Sequence, residues 1–197
     1  MLLVSRSTSA YHHGNLAPAL EAAAFDLLRT QGHATLSLRE VARAAGVSHN
    51  APYHHFGDRT ALLKRLSEVS MAELLASLTE AQAQAAGRSA QAGAVLIGGA
   101  YVGYASRYPE RFRIIYDPEV CVPGSPSAAM APLIDGVEEV LATATASLLP
   151  ADASPAESAA LTTAVWGAVH GLAELVVAGH ITEAAVEPAL IALLNHR

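Results

Sequence analysis

Only one cysteine, Cys121, occurs in 197 residues. No intrachain disulfide can form and no cysteine cluster is at hand for zinc, which argues against a disulfide-stapled secreted domain and suits a reducing compartment. Cys121 itself reads as a small buried hydrophobe, with a redox-sensing thiol as the alternative. Aromatic residues make up 5% of the chain and charged residues 15%, against 52% hydrophobic. Much of that apolar share is alanine, a strong helix former that lets helices pack closely, so an all-α protein is expected.

Long apolar runs are also scarce. Met1 to Val4 is far short of the apolar segment of a secretory leader. The uncharged runs Ala92–Ser106 and Ser158–Ala173 fall below the roughly 18 to 20 apolar residues of a membrane span. Both read as core helices, so no membrane partner and a cytoplasmic location are expected. Enzyme signatures are missing too: the chain has no G-x-S-x-G elbow and no H-E-x-x-H pair. Gly98, Gly99 and Gly103 follow no strand and do not make a nucleotide loop; they read as close helix contacts or as a bend. Glu138 and Glu139 face different directions on a helix. His12 and His13 lack a second pair at ligand spacing. No catalytic residue, metal or cofactor is expected; the rival from that class is a helical enzyme or ligand carrier using Tyr104, His170 and Glu174.

The charge that is present is divided unevenly. Residues 1–66 carry seven Lys/Arg against four Asp/Glu, a net +3, whereas the remainder carries five against fourteen, a net −9. Six of the nine histidines also lie in the first 66 residues. A basic head on an acidic body suits contact with a polyanion at one end only. Two domains follow, residues 1–66 and 67–197. The first ten residues read as a mobile arm from which Arg6 can reach a phosphate.

The densest run of local signals is residues 36–66. Asn15 can cap a helix from Leu16 to about Gln31, closed by Gly32. Ser37 and Glu40 have the spacing of a capping box, with Leu36 and Val41 placed as a hydrophobic staple. Gly46 can close that short helix in the left-handed conformation. Ser48 or Asn50 caps the next helix, and Pro52 must fall in its first turn. Gly57 ends it, and Asp58 caps a third. Two short helices around a tight glycine turn, the second carrying His49, Asn50, Tyr53 and His54, make a helix-turn-helix able to reach phosphates and base edges. Arg59, in the first turn of the third helix, is placed to meet a phosphate. The candidate DNA contacts are Ser37, Arg39, Ser48, His49, Asn50, Tyr53, His54 and Arg59.

At Val47-Ser48, Tyr53-His54-His55-Phe56, Asp58-Arg59 and Leu62 the chain resembles the TetR, or tetracycline-repressor-like, transcriptional regulators. Tyr11-His12-His13-Gly14-Asn15-Leu16, Trp166-Gly167 and His170-Gly171 are similar to the branch whose C-terminal domain is named for a Trp-His-Gly signature. Arg59 stands where the family usually has Lys, and Pro52 where a helix-compatible residue is commoner. The resemblance implies a cytoplasmic homodimeric regulator on double-stranded operator DNA, most often a repressor, with a ligand-binding body; the expected small-molecule effector is a small apolar ligand that releases the operator. A helix-turn-helix regulator that answers to no small molecule is the alternative.

Five further helices are expected beyond the long one that starts at Asp58: about 89–107, a short one at 109–116, 127–149, 155–177 and 182–194. Asp117 to Pro126, with three prolines and Gly124, reads as a loop, either an exposed connection or the cover of a cavity. Trp166 and His170 share a helix face at i, i+4. With Tyr101, Tyr104, Tyr108 and Phe112 they are the candidate effector contacts, the other reading being packed core. Leu161, Val165, Ala168, Leu172 and Leu175, with Val186, Leu190 and Leu194, leave enough apolar surface for a four-helix bundle between two copies.

Overall fold

The computed structural model describes residues 16–195. The expected cap at Asn15, the arm carrying Arg6 and the pair His12-His13 lie outside the described residues. Within them the secondary structure is helical: α1 Leu16–Gln31, α2 Leu38–Ala44, α3 Ala51–Phe56, α4 Arg59–Ala85, α5 Ala90–Arg107, α6 Pro109–Ile115, α7 Ala131–Ala146, α8 Pro155–Val177 and α9 Val186–Asn195, with a 3-10 turn at Glu183–Ala185. The chain separates into two compact units between Leu62 and Leu63, inside α4 and a few residues before the boundary read from the sequence.

The first unit is built on a four-residue apolar spacing. Leu20, Ala24 and Leu28 of α1 are fully buried, together with Leu36, Leu38, Val41 and Ala42 around the start of α2, and Leu62. Truncating one such leucine costs about 2 to 5 kcal/mol. Gly32 (φ 71°) closes α1, its N–H reaching Leu28 O at 2.9 Å. The cap of α2 is half of the expected box. Ser37 Oγ accepts from Glu40 N–H at 3.3 Å and donates to the Glu40 carboxylate at 2.8 Å, so the carboxylate turns to the hydroxyl. At α4, Asp58 Oδ1 accepts from Ala61 N–H at 2.7 Å.

In the second unit α5 packs against α6, α7, α8 and α9. Its glycines do different things. A Cβ on Gly98 would stand 3.1 Å from Leu190 of α9 and 3.4 Å from Val169 of α8, whereas Gly99 has open space around it. A Cβ on Gly103 would meet only Glu183 at 3.8 Å, so close contact accounts for Gly98 alone, and α5 runs through all three glycines without a break. Ser154 and Glu157 complete a full capping box at α8, with Pro155 in the first turn. The Ser154 bonds hold the Glu157 carboxyl below the usual carboxylate range.

One expectation needs correction. Read as a whole helix, α8 is long and apolar enough to cross a membrane, because the apolar run continues past Glu174; only 11% of that stretch is buried within the chain.

Candidate nucleic-acid interface

The turn between α2 and α3 is set by Gly46. At φ 68° it donates to Arg43 O at 3.2 Å, and Val47 N–H reaches Ala42 O at 3.0 Å. These two bonds are a Schellman closure, which only a residue comfortable at positive φ can make. The chain then turns through Ser48, His49 and Asn50. Asn50 holds the N-cap position but makes no side-chain capping bond, which leaves its amide available for other partners. Pro52, the departure from the family pattern, is buried in the first turn of α3, where a missing N–H costs nothing. Its ring faces inward.

With Pro52 inside and Phe56 half-buried four positions on, the opposite side of this short helix must face out. Tyr53 is 46% exposed, and Ser48, His49, Asn50, His54 and Arg39 are exposed as well. Arg43, four positions after Arg39, is a further exposed cation that the sequence reading passed over. The i, i+4 spacing of two arginines on α2 was the available signal.

Two expected contacts have other tasks in the structure. Arg59 Nε donates to Leu36 O at 2.8 Å, and one Nη donates to His33 O at 2.7 Å and Ala34 O at 3.2 Å. The guanidinium therefore holds the carbonyls of the turn before α2, a use of its planar fork that the ammonium of Lys cannot copy. Ser37 spends its hydroxyl on the α2 cap.

The six body candidates do not share one cavity. Tyr101, Phe112, Trp166 and His170 form one ring cluster, in which Tyr101 lies edge-on to Phe112 at 5.5 Å and His170 sits 5.4 Å from Phe112 and 6.2 Å from Trp166. Tyr101 and Phe112 are fully buried, and Trp166 is 41% exposed. Tyr116, absent from the sequence candidates, belongs here: its hydroxyl shares a 2.6 Å hydrogen bond with that of Tyr101, which also lies 2.9 Å from His170 Nδ1. Its spacing of four from Phe112 was the clue. Tyr104 belongs to a second group, donating to Ser70 O at 2.9 Å beside Glu73, whose carboxylate takes Arg111 at 2.6 Å. Tyr108 lies under the Arg111 guanidinium and against Tyr104. Burial pushes the hydroxyls of Tyr101, Tyr104 and Tyr116 up, assisted by Tyr116 at Tyr101 and by Glu73 at Tyr104.

Comparison with known proteins covers both units. Residues 20–66 match the model of bacterial regulatory proteins of the tetR family, and residues 94–196, more than half of the chain, match the tetracyclin repressor-like C-terminal domain. Among solved structures, a Rhodococcus sp. RHA1 protein of unknown function is 31% identical, with a TM-score of 0.79 and 95% of each chain covered. The TetR family regulator PfmR of Thermus thermophilus is 20% identical, with a TM-score of 0.65 over 89% of this chain and 96% of that one. The regulator FadR of Bacillus subtilis, in complex with stearoyl-CoA, is 12% identical, with a TM-score of 0.68 over 90% of this chain and 97% of that one. These last two share the fold. No curated protein matches the chain.

Proposed function

Because the chain belongs to the tetracycline-repressor-like family and is a DNA-binding transcriptional regulator, we propose that it is a cytoplasmic homodimeric repressor whose operator affinity is lowered by a small molecule. It belongs to the Trp-His-Gly branch by Trp166, His170 and Gly171, and it catalyses no reaction. The observation that carries the DNA reading is the outward face of α3: Asn50, Tyr53 and His54 stand exposed behind a turn locked by Gly46, with Pro52 buried beneath them. Such a helix enters the major groove, while Arg39 and Arg43 meet phosphates.

The dimer reading rests on α8 and α9, but mostly on other side chains than the sequence pointed to, because Leu161, Val186, Leu190 and Leu194 are buried within the chain. Trp166 and Leu175 on the first, Ile191 and Leu193 on the second, are each more than 40% exposed, a surface a second copy would cover as a four-helix bundle. Two recognition helices then meet half-sites about 34 to 36 Å apart on a palindrome. A small molecule acts by binding two arrangements of the body with different affinity, and α4, which begins beside α3, passes the difference on.

Selection from random duplexes tests this. A palindromic sequence should emerge, bound with an affinity that falls steeply with salt as phosphates release counterions. Recovery of no preferred duplex would overturn the operator reading.

A further inference from the structure

The hydrogen bonds of the aromatic cluster run in one direction. Tyr116 and Tyr101 share a 2.6 Å bond, and the Tyr101 hydroxyl lies 2.9 Å from His170 Nδ1. Two hydroxyl hydrogens serve these two bonds when Tyr116 donates to Tyr101 and Tyr101 donates to a bare Nδ1. The opposite order, with a hydrogen on Nδ1, leaves the Tyr116 hydrogen without an acceptor among the described residues, because the neighbouring Trp166 indole only donates. A hydrogen stranded on a hydroxyl this desolvated is costly, so the first order holds and the hydrogen of the neutral ring sits on Nε2.

Nε2 lies on the Glu174 side of the ring. Trp166, His170 and Glu174 follow one another along α8 at a spacing of four, Trp166 and Glu174 exposed and His170 half-buried between them. Glu174 Oε1 of the same copy stands 3.9 Å from Nε2, beyond hydrogen-bond reach. A donor and a carboxylate thus lie side by side on the face that carries Trp166 and Leu175, with no hydrogen bond between them. α8 and α9 hold three acids, Glu157, Glu174 and Glu187, and no Lys or Arg. Gly167 and Gly171 adjoin the same run. Neither has a positive φ, and a Cβ on either would meet nothing within 4 Å, so packing within the chain does not ask for glycine there. Glycine inside a helix is unfavourable, and the close approach of another backbone is the use it serves.

We propose that in the dimer His170 Nε2–H of each copy donates to the carboxylate of Glu174 of the partner subunit, a reciprocal pair of charge-assisted hydrogen bonds where the two α8 helices come close. A two-fold interface sets one surface against itself, so the groups on that surface must answer one another. A carboxylate covered by a second copy needs a donor, and no Lys or Arg on these helices supplies one. His170 supplies it. Tyr101, fully buried, and Tyr116 are then positioning residues that keep the hydrogen on Nε2. The pair rests on the reading that α8 and α9 form the dimer, and the measurements separate the two.

Full-length copies carrying His170→Asn, which keeps an acceptor for Tyr101 but nothing at the place of Nε2, are mixed with copies carrying Glu174→Ala, left to exchange, and weighed by native mass spectrometry. Circular dichroism checks that each is folded. Either homodimer lacks both bonds, whereas a mixed dimer regains one, from the intact His170 to the intact Glu174. With that bond worth about ten-fold in affinity, as for a hydrogen bond to a charged group, mixed dimers should make up about nine-tenths of the total. A pair closed within each copy is broken in both variants and gives the roughly one-half of random pairing. A second measurement needs no variant: the His170 nitrogen resonances of the wild type, assigned through the neighbouring Trp166 ring, should show Nδ1 bare and Nε2 protonated. A monomeric wild type overturns the dimer reading and this pair with it. A dimeric wild type overturns the pair alone if the variants mix at random, if they form no mixed dimer where the wild type dimerises, or if the hydrogen is found on Nδ1.

Discussion

The Tyr101 hydroxyl on α5 lies 2.9 Å from His170 Nδ1 on α8, joining residues 69 positions apart. With the 2.6 Å bond from Tyr101 to Tyr116, it makes a hydrogen-bonded chain through the middle of the body, from the end of α6 to the helix that carries Trp166. Removing one buried partner leaves the others unsatisfied.

Alkaline titration should reveal that chain. Tyr101, Tyr104 and Tyr116 have folded-state pKa values raised, chiefly by burial, above the usual value of about 10. A raised value means that their contribution to stability is complete below about pH 10 and is lost as pH rises beyond it toward the folded values, because the unfolded chain ionises first. Phenolate absorbance from these three should therefore appear together with unfolding. Reversible ionisation of all three near pH 10, with the helical signal intact, would contradict the burial. Tyr101→Phe should cost about 1 to 3 kcal/mol by denaturant unfolding.

Arg59 separates a structural role from a DNA contact. If its guanidinium serves the carbonyls of His33, Ala34 and Leu36, Arg59→Ala should lower stability by about 1.5 to 3 kcal/mol, as expected for bonds to a charged donor. Arg59→Lys should recover only part of this. The salt dependence of DNA binding should stay as in the wild type. A stable Arg59→Ala whose salt slope falls by about one would instead make Arg59 a phosphate ligand.

Neighbouring positions of α3 should split cleanly. Tyr53→Ala removes an exposed ring and should leave stability within about 0.5 kcal/mol while weakening operator binding by about 1 to 3 kcal/mol. Pro52→Ala removes buried surface and should lower stability, with DNA affinity following only as folded protein is lost. Fluorescence anisotropy on the selected duplex, beside thermal unfolding, checks both. Normal binding by Tyr53→Ala would remove it from the contact set.

The exposed face of α8 and α9 predicts the assembly. Light scattering at micromolar concentration should give a dimer, and Leu175→Asp or Ile191→Asp, each placing a charge on surface that a second copy covers, should give folded monomers that bind the duplex weakly. A monomeric wild type, or unaffected dimers in both variants, would rule this interface out.

The helices were legible in the sequence wherever their signals are local. Gly32 and Gly46 end α1 and α2 at positive φ, Asp58 caps α4, and Ser154-Pro155 starts α8, because each rests on residues within four positions of one another. The outward side chains of α3 were legible for the same reason. Three things were decided by tertiary structure. Arg59 found its acceptors 23 to 26 positions back, Tyr116 joined a cluster drawn from three helices, and Ser127 reached the Glu68 carboxylate of α4, 59 positions away. A side chain's hydrogen-bonding capacity is written in its residue type. Which groups are near enough to use it depends on packing between segments far apart in the chain, and no periodicity or cap carries that information.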